Sequence, residues 1–273
     1  MEPLTALTVA GSDSGGGAGI QADLRTFSAF SLHGTTAITA VTAQNTLGVG
    51  DVLAVEPALV RSQVEAVTDD FVVRATKTGM LAQPSTIAMV ADLAAEGRFG
   101  PLVVDPVLVS TSGHALMSDG GVEAYRDLLL PHATIVTPNL REAAVLAGVD
   151  ANDLLDEDDM VAVGRMILAF GPRAVLVKGG HVVTRGVTSR RSPDILVDAQ
   201  GATVFDAMRV ETTNDHGTGC SLSAAICAGL AYGRPLLDAT RDAKSFVLAA
   251  LTSAASWRLG AGHGPIDHLG WNE

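Results

Sequence analysis

Six short apolar runs, each closed by a turn residue or a polar group and followed by a helical period, constrain this chain more than any other feature. Leu4–Val9 leads into a glycine-rich loop and then IQADLRTFSAF. Thr35–Ala43 ends at Gln44, Ala75–Met80 precedes a helix opening at Pro84, and Leu102–Asp105 stops at Pro106. Thr134–Thr137 stops at Pro138, and Ala174–Lys178 stops at Gly179 and Gly180. Continuous apolar strands alternating with helices predict an α/β chain whose mostly parallel sheet is covered on both faces. Two segments depart from that rhythm. Asp194–Val204, with Gly201 in its middle, predicts an antiparallel hairpin at the sheet edge. Thr218–Tyr232 and Pro235–Leu259 predict two helices broken at Gly233. No repeat, low-complexity tract or Pro/Ser linker divides the chain, so a single domain over residues 1–273 is expected.

The formal net charge of −12 argues against nucleic-acid or membrane-surface binding, because phosphate backbones and anionic lipids recruit clustered Lys and Arg. A phosphorylated ligand would need a local site that holds it against the field of the whole chain. MEPLTALTVAGSDSGGG has no basic region ahead of its apolar run, and Thr26–Gly50, though uncharged, is too rich in polar residues for a membrane span. If Cys220 and Cys227 share one helix, about 10.5 Å of rise separates them, too far for a disulfide. A reduced, cytoplasmic protein is the expectation.

In open parallel sheets, ligands bind beyond the carboxyl ends of the strands. The residues there are Gly11–Gly19, Gln44, Asp105, Asn139–Glu142, Lys178 and the loop before Thr218, and they are mostly glycine or polar. GSDSGGGAG contains Gly17-x-Gly19-x-x-Ala22, a loose dinucleotide fingerprint. No Asp or Glu lies between Asp23 and Asp51 to bind a ribose, and no Lys follows to make a Walker loop. The loop reads either as a flexible turn or as a close backbone approach to a small planar ligand, with Asp23 reaching back into the site. Asn214-Asp-His-Gly-Thr-Gly-Cys220 brings glycines to a helix N-terminus, where unpaired N–H groups favour an anion and where a thiol is expected to have a depressed pKa. Asp105 and Glu142 at neighbouring strand ends suit Mg²⁺ beside a polyphosphate. Asn139-Leu-Arg-Glu142 also has the spacing of a capping box. Lys178, after a buried strand, suits a phosphate. The seven His residues show no metal spacing, and His263 and His268 read as surface or cap residues.

Together these blocks resemble the hydroxymethylpyrimidine/phosphomethylpyrimidine kinases of thiamine biosynthesis, within the ribokinase-like superfamily. The resemblance rests on Ala10–Asp23, Thr39–Val49, Lys77–Leu81, Val103–Val107, Thr137–Ala143, Val177–His181 and His216–Ile226, in that order along nearly the whole chain. It implies a three-layer α/β/α fold, ATP and Mg²⁺ as cofactors, and a homodimer. It also implies phosphorylation of 4-amino-5-hydroxymethyl-2-methylpyrimidine and then of its monophosphate. Carried over, Gln44 would hydrogen-bond the aminopyrimidine, and Gly11, Asp23, Met80 and Val107 would shape the pocket. Asp105 and Glu142 would serve Mg²⁺, and Lys178 and Asn139 the nucleotide. Gly217, Thr218 and Gly219 would form an anion hole, with Cys220 at the position of the catalytic base. Asp215, His114 and the basic stretch Val182–Pro193, with Arg185, Arg190 and Arg191, depart from the family pattern.

The two phosphorylations differ chemically. A weakly acidic hydroxymethyl group attacks in the first, so a base at Cys220 helps by roughly 10²–10⁴-fold. The acceptor of the second is an ionised phosphate oxygen that hardly needs one. Three other functions remain open at the level of sequence. A pyridoxal kinase uses the same chemistry on a pyridine, although Gln44, which both donates and accepts, suits the aminopyrimidine edge. A non-catalytic pyrimidine-binding protein would not need Asp105, Glu142, Lys178 and Cys220 together. A Cys-dependent hydrolase has only His216 and His181 as candidate partners.

Overall fold

The computed structural model describes residues 2–108, 119–180 and 190–271, with the backbone of 183–184 and 187–188. In chain order, β1 (Thr5–Ser12), α1 (Gly19–Ala29), β2 (His33–Asn45), β3 (Gly48–Ala54) and α2 (Pro57–Thr68) form the first quarter. They are followed by β4 (Val73–Thr78), α3 (Pro84–Ala95), β5 (Leu102–Val104), α4 (Gly121–Ala124), β6 (Ile135–Val136), α5 (Leu140–Ala147) and α6 (Glu157–Leu168). The last part holds β7 (Ala174–Lys178), the short pair β8 (Val183–Thr184) and β9 (Val187–Thr188), β10 (Asp194–Asp198), β11 (Gly201–Phe205), α7 (Thr218–Ala231) and α8 (Leu236–Ala254).

Nine strands make one sheet in the order β11-β10-β7-β6-β5-β4-β1-β2-β3. The six from β7 to β2 are parallel; β10 pairs antiparallel with β7 and β11 antiparallel with β10 at one end, and β3 pairs antiparallel with β2 at the other. The pleat sends alternate side chains to opposite faces. Leu7 and Val9 join one apolar cluster and Ala6 the other, and Val175 and Val177 are likewise divided from Leu176. α2, α3, α5 and α6 cover the first face, while α1, α7 and α8 cover the second. The expected ribokinase-like three-layer arrangement is what forms.

Several expected boundaries hold. Pro84 opens α3, Gly233 at φ +72° separates α7 from α8, and β10 and β11 form the edge hairpin with Gly201 at φ +142°. The second C-terminal helix ends at Ala254 rather than Leu259. The strand expected to stop before Gln44 continues to Asn45 and folds back on β3. Among the described residues, no helix is long and apolar enough to cross a membrane.

β1 sends its connection one way to β2, whereas β4 lies on its other side. That reversal opens a crevice at the carboxyl ends of β1 and β4, the position where open α/β sheets take ligands. Gly11 and Met80 meet there so closely that a Cβ on Gly11 would stand 2.4 Å from the Met80 Cε.

Candidate active site

The glycine loop after β1 is pinned rather than loose. Asp13 is buried, and its carboxylate accepts the backbone N–H groups of Gly15, Gly17 and Ala18 at 2.8–3.1 Å. The His216 imidazole contacts the same carboxylate at 2.9 Å. Burial pushes the Asp13 carboxyl upward, but the bonds from His216 and the loop amides outweigh it and hold the group below its ordinary range. The contact joins residues 203 apart, and no local sequence pattern pairs them. The two glycine loops also interlock. Gly217 has φ +84°, and a Cβ there would fall 1.8 Å from the Gly17 carbonyl oxygen. A Cβ on Gly17 would in turn meet the His216 ring at 2.3 Å.

Gln44 reaches this junction, with its Nε2 3.3 Å from His216 Nε2 and its Oε1 accepting from Thr42 Oγ1 at 3.2 Å. Gly11 and Met80 meet in the crevice at the ends of β1 and β4, and Val107 is half-buried in the segment after β5. Asp23 behaves differently from the expectation that it reaches into the site. It is fully buried, accepting from Thr8 Oγ1 at 2.6 Å and from Lys77 Nζ at 2.9 Å on each oxygen.

At the next strand ends, Lys178 Nζ donates to Asp105 Oδ1 at 2.9 Å and stands 4.0 Å from Glu142 Oε2. Thr137 and Ser223 hydroxyls donate to Asp105 at 3.3 and 3.2 Å. Burial raises the Asp105 carboxyl, but Lys178 and Lys77 overcome it and hold the group below the ordinary carboxylate range. Burial, with Asp105 adding to it, pushes Glu142 up to about 7, against the pull of Lys178. The capping box forms as expected: Asn139 accepts the Glu142 N–H at 2.9 Å, and Glu142 accepts the Asn139 N–H at 2.8 Å. Lys178 stays protonated because Asp105 and Glu142 outweigh its burial.

α7 starts beside this cluster. A Cβ on Gly219 would lie 3.2 Å from Lys178 Nζ, so the ammonium sits against the first turn of the helix, where backbone N–H groups are unpaired. Thr218 Oγ1 donates back to the Asp215 carbonyl at 2.6 Å, and Asp215 Oδ1 contacts His263 Nδ1 at 2.7 Å. Half-buried Cys220 follows two residues after Thr218. The depressed thiol pKa expected from the helix N-terminus does not appear. Burial pushes the Cys220 thiol up to about 11, and Lys77 only partly opposes it.

Other expectations also change. His268 is buried rather than superficial. It contacts Ser221 Oγ at 2.7 Å, and burial with nearby Arg25 lowers its pKa to about 4. Arg191 pairs with Asp206 at 2.7 Å and lies 3.8 Å from Glu157, as a solvated loop residue would. His114, His181 and Arg185 lie outside the described residues. Among the described residues, no group of three or more His, Cys, Asp or Glu is placed to hold a metal ion. A separate cleft of about 280 Å³ is lined by Gly15 of the glycine loop with Arg25, Trp257, His268 and Trp271 among others; Asp105, Glu142, Lys178 and Cys220 do not line it.

Comparison with known proteins gives this arrangement its lineage. Residues 13–267 match the family model described as phosphomethylpyrimidine kinase. A hydroxymethylpyrimidine/phosphomethylpyrimidine kinase of Rhizobium meliloti is 48% identical over 97% of this chain and 96% of its own. One of Streptomyces coelicolor is 46% identical over 99% and 96%. Among solved structures, pyridoxal kinase from Staphylococcus aureus in complex with AMP-PCP and pyridoxal superposes with TM-score 0.88 at 32% identity, covering 100% of this chain and 96% of that one. Phosphomethylpyrimidine kinase from Clostridium difficile 630 gives TM-score 0.78 at 39% identity, covering 91% and 99%. With the family model matched along most of the chain and relatives near half identity over their full length, the protein belongs to the phosphomethylpyrimidine kinase family.

Proposed function

We propose that the chain transfers the γ-phosphoryl group of ATP to the hydroxymethyl oxygen of 4-amino-5-hydroxymethyl-2-methylpyrimidine, and then transfers a second to the resulting monophosphate, as a step of thiamine biosynthesis. The observation that carries this is the convergence of an ammonium, two carboxylates and a helix N-terminus at adjoining strand ends: Lys178 lies 2.9 Å from Asp105, 4.0 Å from Glu142 and against Gly219. Phosphoryl transfer demands positioning and neutralisation of charge on transferring oxygens more than covalent work by the protein. The first turn of α7, from Gly217 through Thr218 and Gly219, offers backbone N–H groups to the transferring phosphate. Lys178 adds a point charge held between Asp105 and Glu142, and Asn139 borders the nucleotide from the start of α5.

Mg²⁺ fits the residues present. Asp105 and Glu142 are hard oxygen donors already arranged about a cation, the Lys178 ammonium, and would hold Mg²⁺ directly or through its waters. Bound there, it would neutralise polyphosphate charge. In the first transfer, Cys220 gives its own proton to solvent; its raised pKa makes the ionised form scarce but strongly basic. As thiolate it takes the hydroxymethyl proton, the freed oxygen bonds to the γ-phosphorus, and the bond from that phosphorus to the bridging oxygen breaks to release ADP. In the second, the acceptor is already an anion, and the helix N-terminus and Lys178 carry the transfer. Gln44 presents an amide to the N–C–NH₂ edge of the pyrimidine, with Gly11, Met80 and Val107 about the ring.

A second reading is supported by the likeness to the pyridoxal kinase solved with AMP-PCP and pyridoxal. The test is ADP release from Mg-ATP with the hydroxymethylpyrimidine and pyridoxal offered together and the products resolved by mass. Pyrimidine monophosphate followed by diphosphate, with pyridoxal much poorer, is the expected result. Pyridoxal phosphate as the main product would overturn the substrate assignment, and pyrimidine binding without turnover would point to a binding protein.

A further inference from the structure

Gln44 is held through its backbone as well as its side chain. Its N–H donates to Ser14 Oγ at 2.8 Å, and its carbonyl accepts from the same hydroxyl at 2.7 Å, which ties it to the glycine loop. The pairing of β2 with β3 slips at this residue, Ala43 facing Asp51 and Gln44 facing Val49, and a bulge of this kind re-aims a side chain. The amide then lies between buried Thr42 and buried His216.

The hydrogens available decide which end of that amide belongs where. The Asp13 carboxylate is an acceptor only, and its Oδ2 already takes the N–H groups of Gly17 and Ala18. The His216 Nε2 that approaches this oxygen at 2.9 Å therefore carries a hydrogen. That N–H faces Gln44 Nε2 at 3.3 Å, donor against donor. At the other end, Thr42 Oγ1 has one hydrogen for two acceptors, the Ser12 carbonyl at 2.8 Å and Gln44 Oε1 at 3.2 Å. The shorter bond takes it, leaving oxygen against oxygen. A half-turn of the amide repairs both ends at once: Oε1 accepts from His216, and Nε2 donates to Thr42. The His216 ring has no room to turn instead, since a Cβ on Gly17 would meet it at 2.3 Å.

We propose that His216, anchored by Asp13, and Thr42 fix the Gln44 amide with Oε1 on the His216 side and Nε2 on the Thr42 side, and that this polarity selects the substrate and its direction in the pocket. This rests on the reading of Gln44 as the residue that meets the aminopyrimidine edge; His216 and Thr42 are positioning residues that act through it. Each end of the amide keeps one valence for the ring, a lone pair on Oε1 and a hydrogen on Nε2. The ring edge offers N3, an acceptor, beside the 4-amino donor. N3 meets Nε2 and the amino group meets Oε1, so the amino side of the ring lies toward His216. The 5-hydroxymethyl group adjoins the amino group on that side, where Gly217 and the first turn of α7 follow His216 in the chain. The opposite polarity would send the hydroxymethyl group away from the phosphate-binding turn. In pyridoxal the neighbour of the hydroxymethyl group is an aldehyde, whose oxygen would meet Oε1 lone pair to lone pair, and such a repulsive contact discriminates between substrates.

The test measures binding to the whole protein without ATP, by isothermal titration calorimetry, of the amino compound and of its 4-oxo counterpart. In the latter N3 carries a hydrogen and the ring oxygen accepts, which reverses the pattern. The parent is expected to prefer the amino compound by at least about 100-fold, because a site built around a ligand's hydrogen bonds rejects the analogue that leaves them unpaired. His216→Leu and Thr42→Val each free one end of the amide and should bring that preference within about tenfold. His216→Gln, which keeps an N–H for Asp13 and for Gln44, should restore most of it. In turnover, the KM for the pyrimidine should rise about tenfold in the first two variants with kcat changed less. The ratio of kcat/KM for pyrimidine over pyridoxal should fall in both. A preference retained in full by either variant, once folded, would overturn the proposal and leave Gln44 in place. Equal affinity of the parent for the two compounds, or a Gln44→Ala protein that binds the amino compound as tightly as the parent, would overturn the reading of Gln44 and the proposal with it.

Discussion

Glu142 carries two duties with different pH demands. As the third residue of the capping box it accepts the Asn139 N–H, a bond that favours the ionised carboxylate. As one of two carboxylates beside Lys178 it is buried close to Asp105, and that environment raises its pKa to about 7. The folded, unliganded protein therefore holds a proton on Glu142 below about pH 7 and releases it above. Only the released form offers a full negative charge to Mg²⁺. The kcat/KM for Mg-ATP, which reports free-enzyme ionisations, should rise as pH passes through about 7. Glu142→Gln should flatten that rise and slow both phosphorylations, with partial rescue by excess Mg²⁺ supporting the metal assignment. An unchanged pH profile in the variant would remove Glu142 from the metal site. The pairing of Asp105 with Glu142 was legible from the strand ends. The pKa of Cys220 was not, because a helix N-terminus is visible in sequence whereas the depth at which a thiol is buried depends on what packs over it.

Among the elements, α7 and its approach loop concentrate the chemistry. Its buried face, with Ala224, Ala225 and Ala228, allows close packing, and a Cβ on Gly229 would stand 2.7 Å from that of Ala239 on α8. The approach loop needs Gly217 for two separate reasons: its φ of +84° lies in the left-handed region, and its Cα faces the Gly17 carbonyl with no space for a side chain. Gly217→Ala should cost at least about 2 kcal/mol of stability or cut both phosphorylations by more than about 100-fold, through loss of the anion site and of the contact between loops. Differential scanning calorimetry and steady-state rates distinguish the two, and a variant with parent stability and activity would contradict the interlocked arrangement. The glycines of both loops stood out in sequence. Their meeting did not, since the Asp13–His216 bridge joins the first strand end to the last helix and no local pattern records it.

For the whole molecule, the succession of buried strands and helices was readable because most central strands are largely apolar on both faces, as parallel sheets covered by helices require; β4, with buried Thr76, Lys77 and Thr78, is the exception. Strand order was less accessible: β4, β5, β6 and β7 extend the sheet on one side of β1 and β2 on the other, and that choice lies in tertiary packing. β3 was missed because Gly48-Val-Gly50-Asp is weak strand sequence. It forms the end of the sheet, with one edge unpaired by any described strand; its Leu53 is 73% exposed, and Leu47 in the turn before it is 69% exposed. Native edges are usually short, charged or covered. The homodimer implied by family resemblance is proposed to cover this one. Leu53→Asp should shift sedimentation from dimer to monomer at micromolar concentration without unfolding the chain; a parent protein that sediments as a monomer would exclude the pairing.

The central claim is that one site performs two phosphorylations that differ in their need for a base, and it is tested most directly by measuring both steps separately in Cys220→Ala. The account predicts a loss of roughly 10²–10⁴-fold for phosphorylation of the hydroxymethyl group, with the phosphorylation of the monophosphate reduced far less. Equal losses in the two steps would contradict it, and would leave Cys220 as part of the anion-binding turn rather than the acceptor of a proton.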